Sequence, residues 1–275
     1  GIPASASAIE VPPVALVDQQ INRILADLEK ITADADLTSD KKVLAPRFTG
    51  PALEQRVAHY VLRTRSTKVA ALPKIVGKPI SFSLPAATDA WPRTLMVVTD
   101  EPGNEALPQM LVLQQETPRS KYMLWYNIRL MPGAKIPEVP AAEIGAIPVE
   151  INSLFLKLAP TDIASGYGDV INKGAASLSY GLFDTEDDEF YKQVSQSQKS
   201  QVANLTTGKI TFSHALGNKN VVSLATSTAG ALVAVYMTDT YLIRPTRVGT
   251  AVGVSGQEAL ILGANGSTKG VRSIY

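Results

Sequence analysis

Apolar residues recur at helical spacing in the first part of the chain and at strand spacing after it. From Val14 to about Ala35, the residues Val17, Ile21, Ile24, Leu25, Leu28 and Ile31 fall on one face with Asp, Gln, Arg, Glu and Lys between them, which predicts one amphipathic helix. A second is predicted where "GPALEQRVAHYVLRTR" begins: Pro51 suits a first helical turn with Gly50 or Thr49 as the cap, and Leu53, Val57, Tyr60, Val61 and Thr64 follow one face. Arg56, Arg63 and Arg65 lie largely off that face, where long stems would cover apolar neighbours and the charges would stay in water.

Beyond Lys78 the pattern changes to short runs bounded by turn residues, "PISFSLP", "RTLMVVTD", "PQMLVLQQ" and "KYMLWYNIRLM", each read as a strand. In the last of these Tyr122, Leu124, Tyr126, Ile128 and Leu130 alternate with Met123, Trp125, Asn127 and Arg129, so a sheet with one face packed on helices is expected. Pro132, Pro137, Pro140 and Pro148 then crowd into a stretch that an extended backbone satisfies and a central strand does not.

The second half repeats the order of elements. "APTDIASGYGDVINKG" reads as a short helix stopped by Gly174. "DTEDDEFYKQVSQSQKSQVANL" reads as a longer one, with Phe190, Val194, Gln198, Val202 and Leu205 near one face. Strand-like runs follow in "GKITFSHAL", "NVVSLATST", "ALVAVYMTDTYLIR", "EALIL" and "GVRSIY". The expected fold class is therefore α+β in two tandem domains, each with two helices packed on a curved antiparallel sheet. The expected boundaries are a flexible leader over 1–12, a first domain over 13–131, a proline-rich linker over 132–150 and a second domain over 151–275.

Composition narrows the partners. Lys+Arg 26 against Asp+Glu 25 leaves a formal net charge of +1 without a long basic run, so no nucleic-acid partner is expected. No stretch approaches the roughly 20 apolar residues of a membrane-spanning helix. Cysteine is absent, which excludes disulfides, thiol nucleophiles and thiolate metal sites.

Candidate chemistry is sparse. The acidic cluster Asp184, Glu186, Asp187, Asp188 and Glu189 lacks the ligand spacing of a calcium loop and is read as a helix start capped by Thr185 or Asp184. His59 has no second ligand at metal spacing, and His214 lies on a strand leading into a turn. Neither phosphate-cradling glycine loops nor a serine elbow occur. No cofactor, metal or catalytic residue is therefore assigned, and carboxylates remain as the acid-base groups. Trp91, Tyr122, Trp125 and Tyr126 gather around the first predicted sheet, either as ordinary packing or as the lining of a concave ligand pocket.

Several motifs in fixed order carry a resemblance: Gly50-Pro51-Ala52-Leu53 with Arg47 before it and Arg56 inside it, Trp91-Pro92-Arg93, Thr117-Pro118-Arg119, Tyr122, and Leu130-Met131-Pro132-Gly133. In these the chain resembles a family of actinobacterial cell-envelope proteins, exported lipoproteins of unknown function. The resemblance implies an extracytoplasmic protein whose only membrane association is an N-terminal lipid anchor ahead of the Ala/Ser leader. It also implies tandem cone-shaped domains similar to nuclear transport factor 2, and a non-catalytic binding or scaffolding role toward an envelope lipid, glycan or protein. A small-molecule enzyme using a carboxylate in the cone is the alternative, to be recognised by a buried Asp or Glu facing the pocket beside a tyrosine or histidine. Arg47, Arg56, Arg93 and Arg119 enter as motif positions whose expected role is to pair with carboxylates or carbonyls.

Overall fold

The computed structural model describes residues 12–100, 107–217, 220–246, 252–254, 266–268 and 272–274. The predicted leader and the run "EALIL" lie outside the described residues, apart from Pro12. The fold class is α+β, as the patterning predicts: helices and antiparallel sheets alternate in blocks. Helix α1 (Asp18–Thr38), a single turn α2 (Lys41–Leu44) and α3 (Gly50–Arg65) precede four strands, β1 (Ile80–Pro85), β2 (Arg93–Thr99), β3 (Gln109–Gln115) and β4 (Met123–Arg129). These strands pair in chain order as one antiparallel meander.

The helix ends show why the chain breaks where it does. Gln20 Oε1 accepts the Val17 backbone N–H at 3.0 Å and starts α1. Ser39 closes it in a left-handed conformation, and the Asp40 carboxylate then caps α2 through the Lys42 N–H at 2.9 Å. Each cap occupies a donor that the helix terminus leaves without an internal partner. Helix α3 starts as its Pro51 predicts, with Thr49 as the cap.

The meander is buried on both faces. Toward the helices, Leu95, Val97, Leu111, Leu113 and Leu124 pack against Ile21, Leu25, Leu28, Leu44 and Phe48. On the far face Met96, Val98, Met110, Val112 and Tyr126 pack against Ala146, Val222, Leu224 and Ala234. The expectation of one covered face is corrected by this second layer. It also explains why β2 and β3 read as unbroken apolar runs without alternation, since water meets neither side. Much of the proline-rich stretch lies along this far face. Ala146 bridges Ala86, Pro148 bridges Leu224, and Ile136 and Val139 pack on the core.

In the second half, α4 (Ile163–Lys173) ends at Gly174, whose φ of 56° suits a residue without a Cβ. Helix α5 (Glu189–Asn204) follows. Its cap is Asp188, which accepts the Tyr191 N–H at 3.0 Å. The helix therefore starts beyond the expected caps Thr185 and Asp184. Strand β5 (Gly208–Leu216) comes next, and then the hairpin of β6 (Val222–Ala225) and β7 (Ala231–Ala234), which supplies the second layer over the meander. The run expected as one strand, "ALVAVYMTDTYLIR", is divided between β7 and β8 (Met237–Pro245). Strand β8 pairs with β5 and with β11 (Arg272–Ile274), in the order β11-β8-β5. Strands β9 (Val252–Val254) and β10 (Gly266–Thr268) form a separate antiparallel pair.

One buried group makes the first core sensitive to alkali. Tyr122 is 6% exposed, and its hydroxyl has no hydrogen-bond partner among the described residues. Burial pushes its ionisation up from 10.0 to about 12. The folded state holds this proton more tightly than the unfolded chain, so the contribution is complete below about pH 10 and is lost as pH rises toward 12. Tyr122→Phe is expected to be nearly neutral at pH 7 and to lose less stability than the wild type between pH 10 and 12. Urea unfolding at pH 7, 10.5 and 11.5 checks this, and parallel losses in both proteins would refute it.

Candidate functional site

The second half builds a groove between α5 and the sheet beneath it. Along β5 the half-buried or buried residues Ile210, Phe212, His214 and Leu216 alternate with the exposed Lys209, Thr211, Ser213 and Ala215. The first set points toward the helices, and β8 is in register with it: Phe212 lies opposite Tyr241, and His214 opposite Asp239. The two aromatic rings are tilted at 50° with centroids 6.2 Å apart. Successive cross-strand pairs thus place an aromatic step beside an ionisable one on a single sheet face.

Helix α5 roofs this face without being absorbed into it. None of its residues is buried, and Phe190 remains 44% exposed. A groove of about 390 Å3 runs beneath its edge, lined by Phe190, Gln193, Val194, Ser197, Gln198, Gln201, Phe212, His214, Asp239, Thr240 and Tyr241. On its opposite flank a hollow of about 790 Å3 extends over Tyr191, Ser195, Lys199, Val202 and Ile210. Gln198 borders both.

Polar groups in the groove are held in a chain. His214 Nδ1 lies 2.6 Å from Asp239 Oδ1, and its Nε2 lies 2.8 Å from the Gln198 side-chain nitrogen. Both ring nitrogens are therefore engaged, Nδ1 by the carboxylate and Nε2 by the amide. The His214 side chain is 2% exposed, whereas that of Asp239 is 63% exposed, so the carboxylate faces the opening. Helix α4 fixes the imidazole from behind. A Cβ on Gly168 would stand 2.7 Å from the Cβ of His214, and the Asn172 amide donates to the Phe212 carbonyl at 3.1 Å.

The N-terminal end of α5 is clasped to α4. Asp188, already the helix cap, also accepts the hydroxyl of Tyr167, whose ring lies 5.3 Å from that of Phe183 and 6.3 Å from that of Phe190. Burial, reinforced by this hydrogen bond, pushes the Tyr167 phenol well above its ordinary range. The phenol stays a donor, and the start of the helix is anchored while its middle stands over open space.

The four aromatic residues singled out from sequence are not brought together. Trp91 lies on an exposed turn, donating Nε1–H to Gln115 at 3.0 Å with the Arg93 guanidinium 3.8 Å above its ring. Tyr122 is sealed under the helices. Tyr126 faces the opposite core and donates its hydroxyl to the Asn220 carbonyl. Trp125 is skipped by the β3–β4 register and lies against Gly50. The irregularity at this edge strand turns the indole away from the ladder.

The arginines separate likewise. Arg47 pairs with Asp27 at 2.7 Å and donates to the Tyr122 carbonyl at 2.9 Å. Arg56, expected on a solvated face, is 2% exposed and bonds both oxygens of Asp36, at 2.9 and 2.6 Å. Arg119 lies in the exposed β3–β4 turn. His59 Nε2 rests 2.5 Å from the Ala70 carbonyl. Among the described residues no group of three or more His, Asp or Glu is placed to hold a metal ion.

Sequence inspection missed the groove because its members lie on three elements. The alternation of Ile210, Phe212, His214 and Leu216 and the four-residue spacing of Gln193, Ser197 and Gln201 were its available signals. The partner of His214 was not visible, because Asp239 reaches it only through the β5–β8 register.

Fold and groove together define an α+β protein in which a helix spans an open, mixed aromatic and polar cleft. More particularly, the chain belongs to the family described as a domain of unknown function (DUF8094), whose model matches residues 12–270. Neither a curated protein nor a solved structure matches it.

Proposed function

We propose that this protein is an extracytoplasmic binding module that holds a ligand in the groove beneath α5 and performs no chemistry on it. The observation that carries this is the combination of a helix with no buried residue, open space under its edge, and an aromatic pair flanked by fixed polar groups. Concave sites with apolar walls and a few oriented polar groups are where small ligands bind. Both nitrogens of His214 are already engaged, so the imidazole is arranged to position its neighbours. The motif resemblance supports placement in an actinobacterial cell envelope, anchored by an N-terminal lipid, with each half similar to the cone of nuclear transport factor 2. No helix among the described residues is long and apolar enough to cross a membrane, which is compatible with such an anchor.

The test is a thermal-shift screen against envelope lipids, glycans, metabolites and divalent ions, run on the wild type and on Val194→Trp, which fills the groove. A ligand at about 100 times its Kd adds roughly 2.7 kcal/mol, several degrees in Tm for a chain of this size. The expected result is a hit that disappears in Val194→Trp. A screen silent in both proteins would overturn the small-ligand reading in favour of a protein partner.

One observation favours a second reading, a small-molecule enzyme. The Asp239–His214 pair has the arrangement that orients a general base, and release of Nε2 by Gln198 would expose that base to the groove. Turnover that vanishes in His214→Gln while ligand affinity persists would select this reading.

A further inference from the structure

We infer that the ligand of this groove is a neutral polyhydroxylated chain, a short glycan segment. This rests on the binding reading above and adds the ligand's chemistry. The first ground is charge. No lysine or arginine is among the described residues lining the groove, and the one carboxylate among them, Asp239, holds His214 through Oδ1 while facing the opening. Phosphate, sulfate and carboxylate ligands require a cation or an array of charged donors to offset their desolvation. The described lining supplies neither, so among those residues nothing balances an anionic ligand.

The second ground is the arrangement of the neutral groups. On α5, Gln193, Ser197 and Gln201 succeed one another every four residues, forming a polar ridge about 12 Å long at 1.5 Å rise per residue. The sheet opposite presents the rings of Phe212 and Tyr241. A pyranose has the same two-sidedness: one ring face carries C–H bonds that lie against an aromatic ring, and its edges carry vicinal hydroxyls. Those hydroxyls both donate and accept, and an amide or hydroxyl answers both roles from one group without bringing a charge. A fatty chain fits less well, because the same ridge would lose its contact with water and gain no hydrogen bond in return.

The experiment is isothermal titration of the full chain with neutral hexasaccharides (cellohexaose, maltohexaose, xylohexaose, galactohexaose), with hexagalacturonate as the charged counterpart and laurate as the apolar one. Expected is saturable binding of at least one neutral hexasaccharide, weakened tenfold or more by Phe212→Ala and by Gln193→Ala, with no binding of hexagalacturonate. Gln193 is exposed on the helix, so its variant keeps the test decisive if Phe212→Ala fails to fold. Binding of laurate alone, abolished by Val194→Trp, would overturn the glycan assignment and leave the groove as a ligand site. Binding of hexagalacturonate in preference to the neutral sugars would likewise overturn it. Silence from every probe would overturn this inference, and silence across the wider screen as well would remove the binding reading on which it rests.

Discussion

Replacing Asp36 by alanine is expected to lower the unfolding free energy by about 3–5 kcal/mol, the cost of stranding one member of a buried ion pair. The guanidinium of Arg56 is 2% exposed, whereas the Asp36 side chain is 31% exposed. Without the carboxylate, the buried cation keeps a 3.4 Å contact with the Pro73 carbonyl and the neighbouring Tyr60 hydroxyl, which itself loses its charged acceptor. The reverse deletion is milder. Arg56→Met retains most of the apolar volume and leaves a carboxylate that water reaches and that still accepts from Tyr60. It is expected to cost at least about 1 kcal/mol less than Asp36→Ala, because water rehydrates the exposed partner and not the buried one.

The double variant Asp36→Ala with Arg56→Met should then be more stable than Asp36→Ala alone, since no unpaired buried charge remains. Urea unfolding of the four proteins measures this. A loss below about 1 kcal/mol in Asp36→Ala would show that the guanidinium finds water or another partner, and the pairing would not be what holds α3 to α1.

This pair also marks what the sequence could and could not convey. The helical spacing of α1 and α3 and the strand runs of the meander follow directly from the order of apolar residues. Arg56 did not, because a charge lying off the apolar stripe reads as solvent-facing until its carboxylate is located, and Asp36 lies on another helix. Long-range pairing hid the rest. Val222 and Leu224 carry a strand signal but nothing that says their hairpin leaves its neighbours to cover the far face of the first sheet. The groove was hidden for the same reason: Phe190, Val194 and Gln198 are legible as one face of α5, but the surface that face meets exists only once β5 and β8 are in register.

The second large effect is expected at Gly50. Two independent demands meet there, and alanine violates both. The backbone is at φ 52°, a left-handed conformation that costs an L-residue with a side chain about 1–2 kcal/mol. A Cβ would also stand 2.6 and 2.7 Å from Cε3 and Cζ3 of Trp125, overlap that overpacked sites relieve at about 1–3 kcal/mol. Pro51 fixes the next φ and removes one route of escape. The indole is hemmed in as well, because β4 is tied to this corner by the Thr49 N–H on the Leu124 carbonyl at 3.0 Å and the Leu124 N–H on the Arg47 carbonyl at 2.6 Å. Gly50→Ala is therefore expected to cost about 2–5 kcal/mol. Removing the ring separates the two causes: added to Trp125→Ala, Gly50→Ala should cost only the backbone share of about 1–2 kcal/mol. An undiminished cost in that background would place the whole effect in the backbone, and equal stability of Gly50→Ala and wild type would exclude the close approach of helix and indole altogether.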